Sequence, residues 1–220
     1  MITAFDRIII EVPDLAASSA DYQLLLGQRS NDHLFRLGNV DILLQQAGPS
    51  GPAAISKLSL LDENVSTDVP VDTGARGLSL SRSHFRDPAY HENTASNGIF
   101  AVDHLVLQTR DADDCIRLFA EQLGLRLALD QEVPEWGGRM LFFRLGKMTL
   151  EVIHNRKEPP AKDLFWGITY HCKDIDLTIA CLDEHGIAHS PIRAGRKPGT
   201  RVATVRSHCL GLPTLLLGPQ

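Results

Sequence analysis

The spacing of apolar positions changes period several times along the chain, and each change marks an element. Ile8-Ile9-Ile10 is a strand-length run. Asp14 follows at a turn, placed to cap a helix that closes at Leu26-Gly27. The same order returns at Val102-Asp103-His104-Leu105-Val106-Leu107. There Asp111, Phe119 and Leu123-Gly124 stand 97 positions after Asp14, Tyr22 and Leu26-Gly27. In this second occurrence Cys115, Ile116, Phe119 and Leu123 recur at helical spacing. Strands are predicted at Leu125–Asp130, Arg139–Leu145 and Met148–His154, with Gly146-Lys147 as a tight turn between the last two. Phe35-Arg36-Leu37-Gly38 matches Phe143-Arg144-Leu145-Gly146 at an offset of 108, so the first copy is 11 residues shorter.

A further copy runs from Phe165 to Leu217. It has a strand at Trp166–Tyr170, a cap at Asp174, a helix over Ile175–His185 ended by Gly186, and strands at Arg201–Arg206 and Thr214–Leu217. A weaker copy lies at Ile55–Arg82, where Leu58–Leu61 and Gly77–Arg82 read as strands with no helix period between them. Repeats of this length indicate a duplicated supersecondary unit. The predicted fold class is therefore α+β, with four β-α-β-β-β modules of which modules one and two are eroded. The expected division is an N-terminal module pair at 1–82, a linker at 83–99 rich in Asn, Ser, Asp, Pro and His, and a C-terminal pair at 100–220.

Composition narrows the function classes. Among 220 residues, 22 Lys and Arg stand against 27 Asp and Glu, a net charge of −5, which argues against a nucleic-acid backbone binder. No apolar run approaches the roughly 18 residues needed to cross a bilayer. The first residues carry no basic leader ahead of an apolar block. Cys115, Cys172, Cys181 and Cys209 are too scattered for a disulfide framework or a structural zinc site. The expectation is a cytoplasmic protein with reduced thiols and no membrane or nucleic-acid partner. Strand edges left by the shortened first module make a homodimer plausible.

The residues Val102–Leu107 with Asp111, Leu123-Gly124-Leu125, Phe142–Gly146 and Leu150-Glu151-Val152-Ile153 resemble the vicinal oxygen chelate superfamily. That group includes glyoxalase I, extradiol dioxygenases, methylmalonyl-CoA epimerases and bleomycin-resistance proteins. The resemblance covers 100–220 along its whole length and the N-terminal half mainly through module one. It implies paired modules whose mixed sheets curl around one pocket. It also implies a divalent metal (Fe, Mn, Ni or Zn) that polarises a small oxygenated substrate as a Lewis acid.

The superfamily's ligand positions fall on His104, seven residues before Asp111, and on Glu151. In the partner module the same rule gives Gly167, and aligning the last hairpins places Leu216 opposite Glu151. Module one has Arg7 and Leu43 at these positions. Two protein ligands fall short of the usual three of a catalytic metal. His171 shares a strand face with Gly167 and Thr169 but lies roughly 13 Å along the strand, and His84 or His91 would have to fold over from the linker. Three alternatives stay open: a metal at His104 and Glu151, a structural His–Glu pair, and a metal-free site with Glu151 as general base tuned by His104.

Other candidates are ligand contacts. Arg36, Arg82, Arg144 and Arg206 recur at strand ends and suit a carboxylate or phosphate clamp, or a solvated strand edge. Alternation places Met140, Phe142 and Arg144 on the pocket face, opposite Leu141, Phe143 and Leu145. Thr169 belongs to the pocket face of the last module's first strand. Trp136 precedes the third strand of module three, where it can stack on a flat substrate. The basic run Arg193–Arg201 can draw in an anion, with Arg201 as a ligand contact. The functional expectation is a glyoxalase- or dioxygenase-like protein (a lyase, epimerase or dioxygenase) acting on a small anionic oxygenated metabolite. The alternative is a metal-free sequestering protein of bleomycin-resistance type.

Overall fold

The computed structural model describes residues 1–48, 51–84, 95–135 and 137–220. Module one comprises β1 (Ile2–Val12), α1 (Leu15–Leu26), β2 (Leu34–Arg36) and β3 (Asp41–Gln46). Module two has β4 (Ala54–Asp62), β5 (Val69–Pro70) and β6 (Leu80–His84), with one 3-10 turn at Gly74–Arg76 where the other modules place a helix. Module three has β7 (Ile99–Gln108), α2 (Ala112–Cys115), β8 (Arg126–Val133), β9 (Gly138–Leu145) and β10 (Met148–Asn155). Module four has β11 (Leu164–Cys172), α3 (Ile175–Glu184), β12 (Arg193–Ala194), β13 (Thr200–Val205) and β14 (Thr214–Pro219).

The three helices start for one reason. Asp14, Asp111 and Asp174 are extended residues whose carboxylates accept from backbone N–H groups of the first turn: Ala17, Asp113 and Asp114, and Asp176 and Leu177 respectively. Module three departs from the expected regular helix. After Cys115 the chain widens into a π-helical segment, Ile116–Gln122, and Leu123 N–H reaches back five residues to the Leu118 carbonyl.

In every module the first strand lies parallel to the last: β1 to β3, β4 to β6, β7 to β10 and β11 to β14. Modules then pair through antiparallel first strands, β1 with β4 and β7 with β11. Both pairings therefore form within one chain. A single residue pair, Phe165 with Ile55, joins β11 to β4 and makes one sheet of fourteen strands among the described residues. Sheet and helices enclose one apolar core that includes Tyr22, Phe35, Phe119, Phe143 and Tyr170.

The repeat reaches into the irregularities. On β1, Phe5 pairs with Leu60 and Arg7 with Ser59, leaving Asp6 as an extra residue. On β7, His104 pairs with Thr169 and Val102 with Tyr170, leaving Asp103 extra 97 positions later. The partner strands repeat too: Ser56 is skipped on β4 and Trp166 on β11. Such bulges turn two neighbouring side chains toward one face.

The halves dock reciprocally. Gly38 N–H donates to the Phe100 carbonyl at 2.7 Å, and a Cβ at Gly38 would lie 3.0 Å from that oxygen. Gly146, 108 positions later, lies against Thr3, 97 positions before Phe100; a Cβ there would be 3.7 Å from the Thr3 carbonyl. The ends of the expected linker are anchored as well. Ser83 is buried in β6, and Asn97 is 2% exposed. The histidine expected there at position 91 lies outside the described residues, and His84 sits 2.7 Å from the Val65 carbonyl through Nδ1.

Asn97 donates from Nδ2 to the Leu25 carbonyl, where α1 ends, and accepts from Ile99 N–H, where β7 begins. Asn97→Ala removes both hydrogen bonds, at about 0.5–1.5 kcal/mol for each. Urea unfolding of the variant is expected to show a loss in that range; an unchanged midpoint would remove Asn97 as a tie between the halves.

Candidate functional site

The C-terminal sheet is concave on the side away from α2 and α3, and its register arranges that face in rows. One row crosses Arg126, Arg144, Thr149, His104, Thr169, Leu215 and Thr204. The next crosses Leu129, Phe142, Glu151, Val106 and Gly167. Beyond it Met140 pairs with Ile153. A cavity of ≈ 260 Å³ opens over the module-four side, lined by His104, Glu151, Val106, Trp166, Thr169 and Leu215 among others.

His104 is held on both ring nitrogens. Nδ1 lies 2.8 Å from Asp103 Oδ2, and Nε2 lies 2.9 Å from Thr169 Oγ1 and 3.4 Å from Glu151 Oε2. Nδ1–H donates to the Asp103 carboxylate, so Nε2 of the neutral ring accepts from the Thr169 hydroxyl; in the protonated ring Nε2–H points at Thr169 and Glu151. The hydrogen bond from His104 holds the Asp103 carboxyl below its ordinary value, against the opposing effect of burial. Glu151 moves the other way. Burial lifts its carboxyl above the ordinary range, Asp103 adds to this, and the charges of His104 and Arg196 oppose it.

The bulge makes this cluster possible. Neighbouring residues on a regular strand point to opposite faces, but the extra residue brings Asp103 to the side of His104. Sequence reasoning missed Asp103 for that reason, and missed Trp166, the extra residue on β11, likewise. The recurrence of Asp6 and Asp103 in the repeat is the signal that could have found the first.

Of the expected ligand contacts, Met140, Phe142 and Arg144 lie on the face of Ile153, Glu151 and Thr149, and Thr169 bonds His104 in the cavity floor. Arg201 is not brought there. It alternates with Val202 onto the helix side, where two of its nitrogens donate to the two Asp176 oxygens. Arg206 is exposed past the end of β13 and does not line the cavity. Arg82 pairs with Asp62. Trp136 lies outside the described residues. Leu216 is fully buried in the core, whereas Leu215 lines the cavity. The register makes Leu215 the counterpart of Glu151, since Ile168 pairs with Thr214 as Leu105 pairs with Leu150. The expected alignment was one residue out, which on a strand exchanges the faces. Burial pushes the Cys115 thiol up to about 12 and the Cys172 thiol up to about 11, which suits inert core residues.

The donor set does not fit a catalytic metal. Among the described residues no group of three His, Cys, Asp or Glu side chains is arranged to hold a metal ion. At Gly167 a Cβ would lie 2.7 Å from the Pro213 carbonyl oxygen, so this position has no room for a ligand side chain. His171 stacks on Phe100, with ring centroids 4.9 Å apart. His104 and Glu151 are left with a neutral hydroxyl, and both nitrogens of His104 already have protein partners.

Comparison with known proteins agrees with this architecture. Residues 103–204 match the family model described as Glyoxalase/Bleomycin resistance protein/Dioxygenase superfamily. No curated protein matches the chain by sequence. A mutant of 4-hydroxymandelate synthase from Streptomyces coelicolor superposes with a TM-score of 0.68 at 13% identity, over 100% of this chain and 93% of that one. Methylmalonyl-CoA epimerase from Mycobacterium tuberculosis gives a TM-score of 0.49 at 15% identity, over 59% of this chain and 94% of that one. At such identities the likeness to 4-hydroxymandelate synthase is one of fold. No helix among the described residues is long and apolar enough to cross a membrane.

The Glu151 environment predicts a pH signature. Its folded carboxyl titrates above the ordinary 4.5, so the folded chain holds that proton more tightly than the unfolded chain. The stability this contributes is complete below the unfolded value and is lost as pH rises through the folded one. Glu151→Gln never ionises and escapes the loss. Its unfolding midpoint relative to wild type is expected to rise between pH 4 and pH 7, and a difference independent of pH would contradict the assignment.

Proposed function

We propose that the chain, whose residues 103–204 match a glyoxalase, bleomycin-resistance protein and dioxygenase superfamily model, is a vicinal oxygen chelate protein that binds a small anionic oxygenated metabolite and moves a proton on it. The observation that carries this reading is the Glu151 carboxylate, lifted by burial and facing His104 Nε2 at 3.4 Å. A desolvated carboxylate is a stronger base than one at the surface. Glu151 would take the proton from a carbon beside a carbonyl. His104 in its protonated form, fixed by Asp103, would donate from Nε2–H where negative charge develops on the oxygen, and the Thr169 hydroxyl, then released from the ring, would donate beside it. Returning the proton to the same carbon or its neighbour gives an epimerase or isomerase, and expelling a leaving group gives a lyase. The basic hairpin around Arg196, whose charge already acts on Glu151, supports an anionic ligand.

Superfamily members often hold a divalent metal. Fe, Mn, Ni or Zn at His104 and Glu151 would need a third donor that the described residues do not supply, so no step is assigned to a metal. A second reading, a sequestering protein of bleomycin-resistance type, is favoured by the apolar share of the cavity wall, Val106, Ile153, Trp166 and Leu215.

The readings separate in deuterium oxide. The protein is incubated with a panel of small 2-oxo and 1,3-dicarbonyl acids, and loss of the C–H signal is followed by proton NMR. The enzyme reading expects exchange with at least one acid, slowed about 10²–10⁴-fold in Glu151→Gln. Acids that bind, by thermal shift, without any exchange would replace it with the sequestering reading. Metal analysis of protein purified without chelator is expected to find no stoichiometric ion. One metal per chain that disappears in His104→Ala would restore the metal mechanism.

A further inference from the structure

We propose that Arg126 and Arg144 form a subsite for a phosphate-like dianion, so that the ligand of the concave face is a small phosphorylated oxygenated metabolite. The inference rests on the reading of that face as a ligand site and names the class of ligand it takes.

Arg126 and Arg144 are register partners on β8 and β9, one strand apart on the concave side. Both are exposed. Neither side chain forms an ion pair or hydrogen bond with a described residue. Like charges directly opposite on a sheet repel, so the pair is unfavourable for the empty protein. The other two arginines of residues 126–156 are treated differently: Arg139 meets Asp130 and Asp113, and Arg156 meets Glu132. Glu151 on the concave face does not neutralise the pair either. Glu151 feels chiefly His104, Arg196 and Asp103.

Position ties the pair to the proposed chemistry. Arg144 pairs with Thr149 and Thr149 with His104, so the arginines lie in the row of the catalytic histidine. At about 4.8 Å per strand and 3.3 Å per residue, the Arg144 and Glu151 Cα atoms are roughly 8 Å apart. A ligand anchored at the arginines would need only a short carbon chain to place a carbonyl-adjacent carbon over Glu151. Between them, Leu129 and Phe142 supply apolar contact in the second row. Two guanidinium forks offer more donors than one carboxylate can accept, whereas the three terminal oxygens of a phosphoryl group can engage both.

Binding is measured by calorimetry and thermal shift at constant ionic strength, with inorganic phosphate, dihydroxyacetone phosphate and acetate as probes. Wild type is compared with Arg126→Gln, Arg144→Gln, the double variant and Glu151→Gln. The proposal expects the phosphate probes to bind and acetate not to. Each single arginine variant should lose about tenfold or more in affinity and the double variant all of it, while Glu151→Gln keeps it. Unliganded Arg126→Gln should unfold no earlier than wild type, because its loss relieves repulsion. Tighter binding of the ester identifies a phosphorylated metabolite, and equal binding of inorganic phosphate identifies the free anion; both support the subsite. Unchanged affinity in the double variant, equal protection by acetate, or destabilisation by Arg126→Gln overturns it. Failure of proton exchange with the arginine results intact would instead sink only the catalytic role of Glu151.

Discussion

The constraint on which the site depends is the extra residue on β7. A regular strand would send Asp103 to the core when His104 faces the cavity, and a bare carboxylate in that core would be costly. The bulge resolves this by keeping both side chains on the concave face, where Asp103 bonds His104 Nδ1 at 2.8 Å. Once that bond is made, the other edge of the ring is aimed at Thr169 and Glu151. The skipped Trp166 on β11 comes from a second bulge in the same strand pair and helps line the cavity.

The duplicated half separates scaffold from chemistry. It repeats the bulge, with Asp6 beside Arg7 at 3.6 Å. It repeats the register, so Arg7, Leu43, Lys57 and Ser81 occupy the counterparts of His104, Glu151, Gly167 and Leu215. Backbone geometry has thus been kept through the duplication, while the side chains at all four positions differ in chemistry. Among the described residues, only the C-terminal half sets a part-buried carboxylate against an imidazole, Glu151 Oε2 lying 3.4 Å from His104 Nε2.

What could be read in the sequence divides along physical lines. Caps, helix ends and the repeat were legible because each is local: an Asp before a helical period and a Gly after it fix the backbone with little help from tertiary contacts. His104 and Glu151 were legible through their place in the repeat. Asp103 was not, because strand alternation predicts the wrong face and only pairing across β7 and β11 reveals the bulge. Leu216 was confused with Leu215 because the last module lacks the hairpin spacing that anchored the alignment. Arg201 was grouped with a basic run, but its parity on β13 and the nearby Asp176 at the start of α3 decide its partner. Arg126 drew no notice because nothing in β8 alone sets an arginine apart; its meaning comes from the residue it faces.

Electrostatics then orders these pieces. An acidic chain with net charge −5 places Arg126 and Arg144 in the row of His104, and the charge of Arg196 acts on Glu151. Glu151 is itself a carboxylate held partly out of water. That arrangement works against folding twice, through desolvation of an acid and through repulsion between facing arginines. Groups optimised for stability alone would be paired, as Arg139, Arg156 and Arg201 are elsewhere on the same sheet. An anion bound at the rim would offset the repulsion, and a proton taken up by Glu151 would offset the desolvation. The proposed acidic ligand that gives up a proton would relieve both unfavourable features of the empty protein in one event.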